Sequence, residues 1–407
     1  MAARTERAST ELGTRAPLEL VRGAGGRCFD ADGKEYVDWI CGYGPVILGH
    51  GHPSVVRAVE RQLAEGSLFS GCWGELERLR ERLAALFPHA ESAFPFKTGS
   101  EAVAAAIRLA RAATGRSLVL RVGFHGWHDE LVDPSFGWHN YDHVRVDAPE
   151  VLGVPEAGRD ERVRVCSDLE LDGLPDLVDD ERNRVAAVVL DPIQCHGDIG
   201  RQLGRLAEAC RRAGALFVLD ETKTAFRVHP GGVQGLYGVA ADVTVAGKGL
   251  ANGLPLAVVL TTASVGGFRR PARIKGTFAE ERLAIAAAHA TLDVMERESV
   301  ARRLKETGQR LIDAMDEALR EERLDDLVSA VAYRWPSMPH LHAATDSPEA
   351  VEARRLLVEE LEVEGVLVLD GHNSFVCLAH DDADLEWTRD ALAAAAARVA
   401  RALEQAA

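Results

Sequence analysis

Between residues 46 and 298 the chain alternates short apolar runs with longer helical stretches, and this alternation restricts its fold more than any other feature. The runs are SLVLRV (117 to 122), VAAVVL (185 to 190), ALFVLD (215 to 220), DVTVAG (242 to 247) and LAVVLTT (256 to 262), separated by stretches such as RQLGRLAEACRRA (201 to 213). Strands covered by helices on both faces lose the polar alternation of half-exposed ones, so the pattern predicts a doubly wound α/β core around a mostly parallel sheet.

Past residue 299 the texture changes to a charged amphipathic helix, ARRLKETGQRLIDAMDEALREE, then short strands near 330 and 366 to 379, then an alanine-rich helix from about 386. That predicts a smaller α/β domain over 299–407, beside a large domain over 46–298. The segment 1–45 holds a hairpin over 17 to 40, with turns at Ala24-Gly25-Gly26 and Asp32-Gly33, expected to pack with the C-terminal part. Residues after Met1 lead into no apolar signal region, and no run reaches the roughly 18 apolar residues of a membrane span, so a cytoplasmic chain is expected. A net charge of -16 argues against nucleic-acid or anionic-membrane partners. Seven scattered cysteines without a Cys-x-x-Cys pair predict reduced thiols and no metal site.

Ligands of open α/β sheets sit outside the carboxyl ends of the strands, and those ends are polar here. ALFVLD ends at Asp220, VAAVVL meets Asp191, SLVLRV leads to Phe124-His125-Gly126-Trp127-His128, and DVTVAG runs into Lys248. Lysine is scarce, six residues against 47 basic ones, which makes its placement among glycines at 247 to 249 notable. Asp220 and Lys248 end strands 28 positions apart and could face one ligand or close a buried salt bridge. The segment FKTGSEAVAAAIRLARAATGR (96 to 116) opens on a capping box, Thr98 to Glu101, whose free N–H groups can hold a phosphate. AGKG is no phosphate loop, because Val243 stands where the first glycine is required and Gly249 follows the lysine. His125, His128 and Asp129 match no standard metal spacing.

An anion cradle, a carboxylate, an aromatic ring and an amine in apolar surroundings are together what pyridoxal 5′-phosphate requires. The blocks DGKEYVDWICGYGPVILGHGHP, KTGSEAVAAAIRLARAATGR, FHGWHD, LFVLDETKTAFRV, VAGKGLANGLPLAVV and GTFAEERLAIAAAHATL also carry a resemblance. In that order they resemble the class III (ω-type) aminotransferases of pyridoxal-phosphate fold type I, nearest the glutamate-1-semialdehyde aminomutase branch. The resemblance implies a large seven-stranded-type sheet domain with a smaller C-terminal domain, and a homodimer with shared active sites. It implies Lys248 as the Schiff-base lysine, Asp220 as partner of the pyridine nitrogen, and Gly99 and Ser100 on the phosphate. It further implies Phe124, His125 and Thr222 around the ring, and Thr277 reaching the neighbouring subunit's phosphate.

The resemblance is broken at positions that bear on substrate. The N-terminal stretch STELGTRAPLEL lacks that branch's Ser-x-Val-x-Arg carboxylate grip, Tyr43 replaces a Trp, and His372 replaces a Glu. Lys223 stands within the cofactor motif where the family has Met, Ile or Gln, and Trp73, Trp127, Trp138 and His139 are further pocket candidates. The implied activity is transamination between a small-molecule amino donor and a keto or aldehyde acceptor. The alternatives are an aminomutase or racemase on one substrate, and a catalytically idle binding protein on the same fold.

Overall fold

The apolar runs become neighbouring strands of one sheet. This is seen in a computed structural model of the 407-residue chain, which describes residues 18–71, 73–132, 159–166 and 171–406. Among the described residues the chain divides into two units, one within 53–132 and 159–302, the other within 18–52 and 303–406.

The larger unit carries a seven-stranded sheet in the order Ser92–Phe96, Ala257–Thr261, Val243–Ala246, Leu216–Asp220, Val185–Leu190, Leu118–Val122, Val163–Val165. Only Ala257–Thr261 runs antiparallel to its neighbours, so the other six strands point their carboxyl ends the same way. Val185–Leu190 is buried at every position, as a strand covered on both faces must be. Ser92–Phe96 contains Pro95, which hides it from pattern reading; proline cannot donate to a ladder, and the strand lies at the sheet edge where no second ladder is needed.

The helix Gly99–Thr114 starts at Thr98 with the complete capping box and ends at Gly115, whose φ of 68° satisfies a left-handed cap. Its Ala102, Val103, Ala106 and Ile107 share one core with Val119, Val189, Val218 and Val245, and the small alanines let the helix lie close on the sheet. Loss of a buried side chain such as Ile107 to Ala would cost about 2–5 kcal/mol. This packing fixes where the helix N-terminus points.

In the smaller unit Leu20–Ala24, Arg27–Asp30 and Glu35–Asp38 form an antiparallel sheet, extended in parallel by Val366–Leu367. The turn glycines Gly25 and Gly33 take φ of 59° and 86°. Helices Val300–Glu321 and Asp382–Ala406 and the strand Val328–Ala332 follow the sequence reading, while the helix Pro348–Val363 and the strand Pro339–Ala343, which pairs with Val328–Ala332 as a hairpin, were not read from the sequence. The segment 368 to 379 does not form a strand. Its amides bond one by one to separate partners, Ser374 N to Pro339 O, Phe375 N to Trp39 O, Val376 N to Ser337 O and Leu378 N to Ile47 O, which satisfies them without a ladder.

Candidate active site

Four strands and one helix deliver their polar residues to the same edge of the large sheet. Asp220 ends Leu216–Asp220 and pairs in register with Val245, three residues before Lys248. Lys248 follows in a turn where its own φ is 42° and Asn252 reaches 46°, so the backbone reverses sharply around the amine.

The Asp220 carboxylate is buried and fully engaged. Its Oδ2 lies 2.9 Å from His125 Nδ1, and its Oδ1 accepts from the Thr222 amide at 3.1 Å and from the Thr222 hydroxyl. Burial alone would raise this acid, but the His125 and Thr222 hydrogen bonds and the His125 charge outweigh it and hold the carboxyl below the usual carboxylate range. His125 Nε2 meets the Val122 carbonyl at 3.0 Å. Both ring nitrogens thus face oxygen acceptors, and both can donate only when the imidazole carries two protons.

Lys248 sits in the opposite regime. Burial first, and the neighbouring Lys223 charge second, push its amine down to about 7, against a weaker upward pull from Asp191 and Asp220. Near neutrality a large fraction of the amine is uncharged and nucleophilic. Lys223 is itself buried, donating from Nζ to Asp191 Oδ2 at 2.8 Å with 6% and 2% of the two side chains exposed. Its Nζ lies 5.8 Å from the centre of the Phe124 ring. Sequence reasoning left Asp191 without a role, although its place directly after a buried strand was the available signal. The Lys223–Asp191 pair inserts a fixed charge beside the reactive amine.

The helix start closes the site. A Cβ on Gly99 would lie 3.3 Å from Thr222 Cγ2, and a Cβ on Gly126 would overlap the Ser100 hydroxyl, so the Asp220 loop and the His125 loop both rest on the first turn. Gly126 also has φ of 118°, which a side chain rarely tolerates. Gly99, Ser100, Phe124, His125, Asp220, Thr222, Lys223 and Lys248 are therefore one constellation. It fits pyridoxal phosphate by its donor set: free N–H groups at a capped helix start for an anion, a charged carboxylate for a ring nitrogen, and a buried, partly uncharged amine for an aldehyde.

A model of the class-III aminotransferases matches residues 10–395. The chain belongs to that family. This class-III aminotransferase is 38% identical over 295 residues to 2'-deamino-2'-hydroxyneamine transaminase of Streptomyces kanamyceticus, covering 72% of this chain and 70% of that one. It is 32% identical over 413 residues to glutamate-1-semialdehyde 2,1-aminomutase of Desulfatibacillum aliphaticivorans, covering 94% and 92%. Its fold superposes with a TM-score of 0.84 on an omega-transaminase from Sphaerobacter thermophilus, at 27% identity and 97% and 94% coverage. The enzyme is pyridoxal-phosphate-dependent and of fold type I, and it transfers amino groups.

The remaining sequence candidates stand on other elements. Thr277 is on an exposed turn before the helix Arg282–Glu298 of this aminotransferase. Tyr43 and His372 meet in the smaller unit, ring centres 6.2 Å apart and edge to face. Tyr43 has φ of 64° within a run where Cys41, Gly42 and Gly44 are also left-handed, and Gly44 leaves room for the Phe375 ring. Trp127 is 63% exposed, and Trp73 packs under the Arg282 guanidinium at 4.7 Å. Trp138 and His139 lie outside the described residues. Among the described residues no helix is long and apolar enough to cross a membrane.

Proposed function

We propose that this enzyme is a transaminase working in two half-reactions, with an amino donor leaving as a carbonyl compound before a keto or aldehyde acceptor enters. The observation that carries the reading is the pairing of an amine near neutrality at Lys248 with a carboxylate held charged at Asp220. Pyridoxal phosphate, when bound, supplies an aldehyde that can carry an amine and a ring that accepts electrons. Lys248 holds the cofactor at rest, and its Nζ takes the proton from the donor carbon and returns one. Asp220, held by its contacts with His125 and Thr222, keeps a proton at the ring nitrogen. Gly99 and Ser100 hold the phosphate through the helix start, and Phe124 and Thr222 bound the ring.

We further infer a polyhydroxylated amine, an amino sugar or aminocyclitol, on one side of the exchange. The transaminase of Streptomyces kanamyceticus is named for such a compound, and a net charge of -16 favours the approach of a polycation. Tyr43 and His372 are proposed to line the substrate side. A homodimer in the cytoplasm, with Thr277 completing the neighbouring subunit's site, belongs to the same proposal. The mutase reading stays as a second one, because relatives covering more than nine-tenths of the chain are glutamate-1-semialdehyde aminomutases.

The deciding experiment withholds the acceptor. Purified enzyme is mixed with amino sugars, ω-amines and amino acids, and the visible band of the lysine-linked cofactor is followed. A transaminase bleaches and stalls after one equivalent; steady conversion of a single substrate without acceptor would replace this reading with the mutase.

A further inference from the structure

The smaller unit gathers a set of soft and hard donors that amino transfer does not use. Cys28 comes from the strand Arg27–Asp30, Asp38 ends Glu35–Asp38, and His50 lies just before the helix Pro53–Glu65. Their side-chain atoms converge: Cys28 Sγ lies 3.4 Å from Asp38 Oδ2 and 3.4 Å from His50 Nε2, and His50 Nε2 lies 2.8 Å from Asp38 Oδ2. A tetrahedral zinc ion with ligand distances of about 2.0 to 2.3 Å spaces its ligand atoms about 3.3 to 3.7 Å apart. The two sulfur edges are already at that spacing, and the nitrogen–oxygen edge needs to open by about 0.5 Å.

We propose that Cys28, Asp38 and His50 bind a thiophilic divalent cation, zinc by the character of the donor set, with water as fourth ligand. Thiolate, carboxylate and neutral imidazole carry two negative charges and so balance a dication. Binding releases the Cys28 thiol proton to solvent and clears His50 Nε2 of its proton, which passes to Nδ1 of a neutral ring or to solvent from a charged one, and no electron is transferred.

Outer groups already orient the ligands. Asp38 Oδ1 accepts from the Ile40 amide at 2.9 Å and the Cys41 amide at 3.0 Å, which leaves Oδ2 for the ion. A Cβ on Gly23 would come within 2.6 Å of the His50 ring, so glycine there admits the imidazole. The Asp38 side chain is 5% exposed and that of His50 is 23% exposed, so solvent reaches the trio on the His50 side.

The adjoining trio of Cys41, Cys377 and His380 is a poorer host. His380 Nδ1 accepts from the Cys377 amide at 3.1 Å and Nε2 meets the Asp38 carbonyl at 3.1 Å, and the Cys41 thiol donates to the Asp38 and Phe375 carbonyls at 3.3 Å. An ion on Cys28, Asp38 and His50 would tie two strands to the segment beyond Tyr43, fixing the left-handed run that presents that ring.

The test uses untagged, cofactor-loaded enzyme, stripped of metal by a chelator, desalted, and dialysed against buffered free Zn2+ at about micromolar level with a non-chelating reductant. Elemental analysis should find one zinc per chain, and zinc-edge X-ray absorption should show one sulfur at about 2.3 Å with nitrogen and oxygen at about 2.0 Å. Cys28→Ser should weaken binding at least about tenfold, while Cys41→Ser should not. Substoichiometric zinc in the parent enzyme, absence of sulfur around the ion, undiminished binding in Cys28→Ser, or loss in Cys41→Ser would each overturn the assignment. The absorption measurement needs no variant, so a misfolded substitution does not shield the proposal.

Discussion

Replacing Lys223 by methionine should make the reactive lysine a poorer nucleophile at neutral pH without touching it. Lys248 is held at about 7 first by burial and second by the Lys223 charge. The substitution leaves burial in place, removes that repulsion, and frees Asp191 Oδ2, now 2.8 Å from Lys223 Nζ, to attract Lys248 instead. Both electrostatic changes favour the protonated amine, so its midpoint must rise. Two unit charges about 5 to 10 Å apart at an effective dielectric of about 20 interact by about 2 to 3 kcal/mol, or about 1 to 2 pKa units. Discounting for rearrangement, a rise of about 1 to 2 units lowers the uncharged fraction at pH 7 from about one half to about one tenth or less.

The assay is the rate at which cofactor-free enzyme captures pyridoxal phosphate between pH 6 and 10, read by growth of the visible band. The acid limb should move upward by about a unit or more in Lys223→Met and stay near its original place in Lys223→Arg. Leaving Asp191 buried and unpaired also costs about 3–5 kcal/mol of stability, so the double variant Lys223→Met/Asp191→Asn serves as a folded reference with neither charge. An acid limb that stays put or falls in Lys223→Met would refute the electrostatic account of Lys248.

Other expectations follow from the same geometry. Lys248→Ala should abolish the visible band and lower turnover at least about a thousandfold; a retained band would remove Lys248 from its role. Asp220→Asn should keep cofactor but lose at least about a hundredfold in turnover, since a neutral amide holds neither the ring proton nor the His125 charge; near-parent rates would contradict this. Because Asp220 is held below the usual carboxylate range, the acid limb of turnover should not track an ordinary carboxyl near 4, which a pH profile of the saturated enzyme checks. Gly126→Ala should cost about 1–3 kcal/mol from its backbone conformation, plus the clash with Ser100, and weaken cofactor retention in dialysis more than it lowers the turnover of loaded enzyme.

Much of the candidate site was legible in the chain because its signals are local. A buried parallel strand announces itself as an apolar run, a helix start as a capping box, and a ligand edge by polar residues that follow the runs at Asp191, Asp220 and Lys248. Where local signals conflict, reading fails. Pro95 masks an edge strand, and the extended segment 368 to 379 looks like strand although its amides pair with scattered loops. Lys223 stood out only as a departure from the family's cofactor motif, because a single lysine carries no mark of the acid it will meet.

The sequence by itself determined the sheet's main strands, the capped helix start at Thr98 and the amine at Lys248, since each depends on residues within a few positions of one another. Only the tertiary structure decided which charges meet: His125 with Asp220 across 95 positions, Lys223 with Asp191 across 32, and Cys28 with Asp38 and His50 from two strands and the segment beyond them. Strand order and register set those meetings, and they arise from packing of the whole core rather than from any local period. Coulomb and hydrogen-bond energies depend on separations of a few ångströms in space, so the tuning of Lys248 and the assembly of the Cys28 trio come into being only once the sheets have closed.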